Sequence, residues 1–222
     1  MPAPLRPASR SRRAPVRTLP ARERLLATAS VLFTRRGYAA TSVREIVAGA
    51  GVTKPLLYHH FGSKEGIFLE LVGRLEREME ERLDAARLEP GTPLERIRAI
   101  CQSIYAIADG REPEVRLLYA IYYGPPQGTP EVDIEALPMR IEGALAEAVR
   151  EGMACGEIRR GDVRYTTLAL QGSLITAIEC HIAERQPTLG SEGLDRLLDV
   201  ILRGVAEPVH GPRPRIRKEP AR

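Results

Sequence analysis

Residues 41–64 read TSVREIVAGAGVTKPLLYHHFGSK, and the punctuation within this stretch sets the architecture around it. Ser42-Val43-Arg44-Glu45 is an S-x-x-E capping box, in which the hydroxyl and the carboxylate each satisfy an amide that helix geometry leaves unpaired. Ile46, Val47 and Ala50 share one face, and Gly49 and Gly51 close a helix of only about two turns. Thr53 stands where it can cap the next helix, with Lys54 and Pro55 in a first turn that needs no amide from proline, and Phe61-Gly62 ends it. Two short helices joined by a tight glycine turn make a helix-turn-helix, whose second helix has the size to enter a major groove about 12 Å wide.

Working outward, Leu25, Leu26, Ala29, Leu32 and Phe33 form the stripe of an amphipathic helix over about Ala21 to Arg36, stopped by Gly37. Ser63 opens a much longer helix whose apolar residues, from Ile67 through Leu75 to Ala86, recur at three and four until Pro90-Gly91. Further helices are expected at Pro93 to Ala108, Glu112 to Tyr123, Glu131 to Ala154, Val163 to Ala183 and Glu192 to Ala206. No alternating β-branched run appears, so the fold expected is all-α. It divides into a disordered basic arm (1–19), a helix-turn-helix unit (20–66), a helical body (67–208) entered through the long helix, and a disordered basic tail (209–222).

The chain has 222 residues and a formal charge of +4, but that charge is unevenly placed. Residues 1–64 hold twelve Arg or Lys against Glu23 and Glu45, a net +10, whereas residues 65–212 carry a net −10. A basic module on an acidic body is the distribution of a polyanion binder joined to a part that does not bind polyanions. Three cysteines without C-x-x-C spacing suggest neither a disulfide framework nor a zinc knuckle, and no cofactor is expected. No apolar run approaches the length of a membrane span, so no membrane partner is expected and the cytoplasm is the simplest compartment.

Taking about 100° per residue along the second short helix, Leu57, His60 and Phe61 face inward, Pro55, Tyr58 and His59 face out, and Lys54 and Leu56 lie at the edges. At these residues the sequence resembles the TetR family of transcriptional regulators. The likeness runs in order through Leu32-Phe33, Gly37-Tyr38, Thr41-Ser42-Val43, Ile46-Val47, Ala50-Gly51-Val52-Thr53, Lys54 to Phe61 and Ser63-Lys64-Glu65. Pro55 stands where many members have glycine or alanine, and Val47 where alanine is common. The resemblance implies a homodimeric, usually repressing protein on a palindromic DNA operator, with a small-molecule pocket in its C-terminal helices. It carries over Thr41, Arg44, Thr53, Lys54, Tyr58, His59 and Lys64 as operator contacts, with the Tyr58 hydroxyl and Lys64 ammonium on phosphates. Pro55 joins them from its outward position, and His59 reads equally as a solvated surface residue.

In the acidic body, Cys101, Tyr105, Tyr119, Tyr122, Tyr123, Met139, Cys180 and His181 are the polar or polarisable residues on otherwise apolar helices. They are candidate contacts for a small apolar effector, although Tyr119, Tyr122 and Tyr123 at i, i+3, i+4 also read as a buried helix face. Leu168, Ile175, Ile178 and Ile182, with Leu194, Leu197, Leu198 and Ile201, supply either a dimer interface, where the resemblance puts it, or internal core. An enzyme is the rival class, but no G-x-S-x-G, H-E-x-x-H or glycine-rich phosphate loop is present. A sequence-indifferent architectural DNA binder is a third, resting on the arginine-rich ends.

Overall fold

The computed structural model describes residues 19–124, 128–183 and 189–204, and among them every regular element is a helix. These are α1 (Ala21–Arg36), α2 (Val43–Ala50), α3 (Lys54–Phe61), α4 (Lys64–Leu88), α5 (Pro93–Gly110), α6 (Glu112–Tyr123), α7 (Ala136–Cys155), α8 (Val163–Ile182) and α9 (Gly190–Arg203). The basic arm and tail expected at the two ends fall outside the described residues, apart from Leu19.

Local chemistry sets the helix ends much as anticipated. The Ser42 hydroxyl accepts from the Glu45 amide while the Glu45 carboxylate accepts from the Ser42 amide, completing the capping box of α2. Gly51 then turns the chain at φ 62, a left-handed conformation that costs a residue without Cβ little. Thr53 precedes α3 in extended backbone, but its side chain makes no cap hydrogen bond. A second capping box, Thr92 with Glu95, starts α5, and the Asp162 carboxylate accepts from the Arg164 and Tyr165 amides at α8.

Several boundaries differ from the sequence reading. Helix α7 begins at Ala136 rather than Glu131, because Asp133 Oδ1 accepts from the Ala136 amide and Ile134 N bonds Val132 O in a turn. Helix α5 continues through Gly110 to the corner at Arg111, whose amide donates to Ile107 O. Helix α9 ends at Arg203, where Gly204 at φ 80 donates its amide to Ile201 O.

Two apolar cores result. The first gathers Leu25, Leu26, Ala29 and Phe33 of α1, Ile46, Val47 and Ala50 of α2, Leu57 of α3 and Ile67 to Val72 of α4. The second is built by α4 from Leu75 onward with α5, α7, α8 and α9. Helix α4, 25 residues long and so about 37 Å, passes from one core to the other around Gly73-Arg74. Burying these side chains is what holds such short helices in place, since two-turn helices like α2 and α3 are not stable alone.

Candidate nucleic-acid interface and internal cavity

Leu57 is fully buried and fixes the roll of α3 on the first core. That roll exposes Lys54, Pro55, Tyr58 and His59, with Thr53 exposed just before the helix, and leaves His60 and Phe61 partly covered. Arg44, in the first turn of α2, is also exposed. The anticipated outward face of α3 is therefore the one presented, and Tyr58 keeps half of its surface open to solvent.

Two residues read as operator contacts sit differently. Thr41 is buried, and its hydroxyl donates to Gly37 O at 2.9 Å, closing the turn between α1 and α2 instead of pointing outward. Lys64 is half-buried; its ammonium donates to Tyr38 O at 2.9 Å and Thr41 O at 3.0 Å and lies 4.1 Å from the centre of the Tyr38 ring. Those carbonyls and the ring face hold the cation, so Lys64 ties the start of α4 to the loop leading into α2. Position in the motif gave no sign of this: Thr41 bonds four residues back within its own loop, and Lys64 turns toward that loop, which only the folded chain brings close.

Sequence reasoning also passed over Arg24. From α1 its guanidinium donates to Ala50 O at 2.9 Å, Leu19 O at 3.2 Å and Gly51 O at 3.4 Å. It thereby satisfies carbonyls at the C-terminal end of α2, where the chain enters the turn before α3. Phe68 packs edge-on against Phe33 and Tyr38, and Phe33 and Tyr38 pack tilted, with ring centres 5.2–5.9 Å apart.

A network of ions joins this unit to the long helix. Arg74 makes two hydrogen bonds to the Glu23 carboxylate, each 2.7 Å, and a third to Glu70 at 3.1 Å, while Arg22 reaches Glu70 at 2.7 Å. The hydrogen bond from Arg74 outweighs the cost of burial and holds the Glu23 carboxyl below its ordinary value, with the charge of Arg74 and Arg22 adding to it. A cleft of about 450 Å³ runs beside this network along α4 to Arg111. Its arginines are neutralised by carboxylates: Arg74 by Glu23 and Glu70, Arg82 and Arg111 by Glu78.

A second, apolar cavity of about 190 Å³ lies between α4, α5, α6, α7 and α8 of the helical body and is partly open to solvent, with the exposed Tyr122 and Tyr123 in its lining. Tyr119 and Tyr122, both singled out from the sequence, line it, as does Tyr123. Cys101, Tyr105, Met139 and His181 do not line it. Cys101 is wholly buried in the core, where burial and then the Asp195 charge push its thiol up to about 12. Tyr105 approaches His181 Nδ1 at 3.4 Å with its hydroxyl, so these two pair, while the buried His181 Nε2 lies 3.7 Å from Asp109 without a hydrogen bond. Met139 is more than half exposed. The lining missed includes Leu75 and Met79 of α4, Ile104 of α5, Leu118 of α6 and Gln171 and Ile178 of α8. Only Gln171, a polar residue between Leu170 and Leu174, carried a signal.

Helix α6 belongs to both parts of the molecule. Leu117 is buried in the first core, Tyr119 and Tyr122 line the cavity, and Leu118 packs against both cores. At its start Thr34 Oγ1 of α1 donates to Pro113 O at 3.3 Å. On the outer side of α8 and α9, Tyr165, Leu168 and Val200 are exposed, whereas Ile178, Ile182, Leu194 and Leu198 are consumed by internal packing.

Among the described residues no helix is long and apolar enough to cross a membrane. Residues 25–71 match the family of bacterial regulatory proteins, tetR family. The HTH-type transcriptional repressor KstR2 of Mycolicibacterium smegmatis is 30% identical over 147 residues, covering 62% of this chain and 67% of that protein. The HTH-type transcriptional activator FasR of the same species is 34% identical over 120 residues, 51% of this chain and 52% of that one. Among solved structures, the TetR family transcriptional regulator PfmR from Thermus thermophilus superposes with a TM-score of 0.68 at 28% identity, over 86% of this chain and 100% of that one. An exposed recognition helix on an all-helical frame thus coincides with these matches: the chain belongs to the TetR family of DNA-binding transcriptional regulators.

Proposed function

We propose that this regulator is a homodimeric repressor that leaves a palindromic operator when a small apolar effector fills the cavity of about 190 Å³. The observation that carries the reading is the double membership of α6, which lines that cavity through Tyr119 and Tyr122 and enters the DNA-reading core through Leu117. Operator contact falls to Arg44, Thr53, Lys54, Pro55, Tyr58 and His59, all exposed on α2, α3 or the turn between them. Tyr58 is assigned to a phosphate and Lys54 to the edge of the groove. Thr41 and Lys64 act indirectly, by holding the turn in front of α2.

Pairing of α8 and α9 with a second copy is supported by the exposed Tyr165, Leu168 and Val200, since apolar residues left outward on adjacent helices are the material of a four-helix interface. Two recognition helices must then meet successive major grooves about 34 Å apart. An effector that binds better to a dimer of different separation weakens DNA binding by that difference in affinity. As a reader of bacterial operators the protein works in the cytoplasm. A transcriptional activator of the same build is the second reading, favoured by the relation to FasR.

The test is selection of duplexes from a random DNA library by the purified chain at about 150 mM salt. A palindrome with half-sites about one helical turn apart is the result expected. Retention without enrichment of any sequence would mark an architectural binder instead. Transcription from a promoter carrying the selected site, with and without the protein, separates repression from activation.

A further inference from the structure

The apolar cavity carries a chemical specification for its ligand, which rests on the effector reading above. Among the described residues, none of the side chains lining it is Lys, Arg, His, Asp or Glu. A carboxylate or phosphate entering such a space would exchange hydration for apolar lining and meet no cation among the described residues. Burial, and after it the negative charge of Glu179, holds the Tyr119 phenol protonated well above its ordinary value, so the charge acting on this lining residue has the same sign as such a ligand.

Size narrows the class further. A cavity of about 190 Å³ is slightly larger than the roughly 150 Å³ engineered cavity that admits benzene, and smaller than the roughly 300 Å³ at which drug-sized sites begin. Polar handles are few. The Gln171 side chain, almost completely buried, donates through Nε2 to Pro138 O at 3.0 Å, and its Oε1 has no hydrogen-bond partner among the described residues. On α6 the Tyr119 hydroxyl likewise lacks one among the described residues and, being protonated, both donates and accepts.

We propose that the cavity takes an uncharged molecule of about single-ring size bearing one hydroxyl or carbonyl, bound between the Tyr119 hydroxyl and the Gln171 amide oxygen, and rejects carboxylates. A ligand hydroxyl donates to Gln171 Oε1 and accepts from Tyr119, while the ring displaces nothing but space between Leu75, Ile104 and Ile178.

Calorimetric titration of the full chain at pH 7.4 with p-cresol, indole and menthol tests this, alongside 4-methylbenzoate, which keeps the p-cresol ring but adds a charge, and phenyltrimethylammonium. The expected result is saturable binding of p-cresol and at least one other neutral probe, with 4-methylbenzoate weaker by about a hundredfold or more. Tyr119→Phe and Gln171→Leu are expected to weaken p-cresol about five- to tenfold and to leave toluene unchanged. Equal or tighter binding of the benzoate or the ammonium ion overturns the proposal. So does failure of the folded chain to bind any neutral probe up to its solubility, or loss of toluene together with p-cresol in both variants. Release of the selected duplex is followed separately by fluorescence anisotropy. Binding of neutral probes without release leaves the ligand class standing and removes the effector reading, whereas release by 4-methylbenzoate does the reverse.

Discussion

Leu117 and Tyr119, two positions apart on α6, face different interiors: Leu117 is buried with Phe33 and Phe68 in the core beneath the recognition helix, and Tyr119 lines the cavity of the helical body. Two residues of a helix diverge by about 200°, so a helix wedged between two cores is bound to address both. Any shift of α6 that accommodates a ligand against Tyr119 must move Leu117. Leu117→Ala is expected to lower stability by about 2–4 kcal/mol through the void it leaves, read from the urea midpoint. Its DNA affinity should also become less sensitive to the cavity's occupant. Tyr119→Phe, which removes only a hydroxyl, should change stability by less than about 1 kcal/mol.

Lys54 and Lys64 are ten residues apart in one motif and have different work. Replacing the exposed Lys54 by Ala should relax sequence preference and lower the slope of log affinity against log salt by about one contact. Replacing Lys64 by Ala releases Tyr38 O and Thr41 O and should weaken binding through lost stability with that slope unchanged. Tyr58→Phe should weaken all duplexes alike. The measurement is Kd against salt for the selected and a scrambled duplex; a slope change confined to Lys64→Ala would reverse the two assignments.

Gly66 in the first turn of α4 has almost no room beside the end of α3. A Cβ there would lie 1.9 Å from Phe61 O, a backbone atom that cannot rotate away. Gly66→Ala should cost about 3 kcal/mol or more, or leave the helix-turn-helix unfolded. Gly143, exposed in mid-α7 with nothing within 4 Å of its Cβ position, provides the contrast: Gly143→Ala should stabilise by about 0.5–1 kcal/mol. Thermal denaturation of the two variants checks both signs.

The Glu23–Arg74 pair makes stability depend on acid. The Glu23 carboxyl is held below the ordinary value of 4.5, first by the Arg74 hydrogen bond, so the unfolded chain takes up its proton at higher pH than the folded one. The stabilisation is complete above that ordinary value and disappears as pH falls through the lowered one. Glu23→Gln should therefore flatten the loss of urea resistance below about pH 4.5 while lowering stability modestly at pH 7, as suits a partly exposed pair.

Cys155 is exposed and Cys101 buried, with its thiol pushed up to about 12. Iodoacetamide at pH 8 should alkylate Cys155 in the native protein and reach Cys101 only after denaturation, as mass spectrometry of the digested protein would show. Rapid native labelling of Cys101 would mean that the core around it opens.

What the sequence determined by itself was local. The S-x-x-E box at Ser42, the glycines after α1 and α2, the proline in the first turn of α3 and the apolar period of α4 act within a few residues of one another, so the helices and the outward face of α3 were legible without a fold. The charge division and the ordered motif carried that reading to DNA. Tertiary structure decided everything that depends on which faces meet. It turned Thr41 and Lys64 inward, because a loop 23 residues away from Lys64 comes back to its ammonium, and it sent Arg24 to the end of α2. In the body, the same polar residues on apolar helices had two outcomes: Tyr119 and Tyr122 reached the cavity, while Tyr105 and His181 found each other. Periodicity fixes which side of a helix is buried, but the partner of that side is set by packing five helices around a common space, and a single helix carries no record of it.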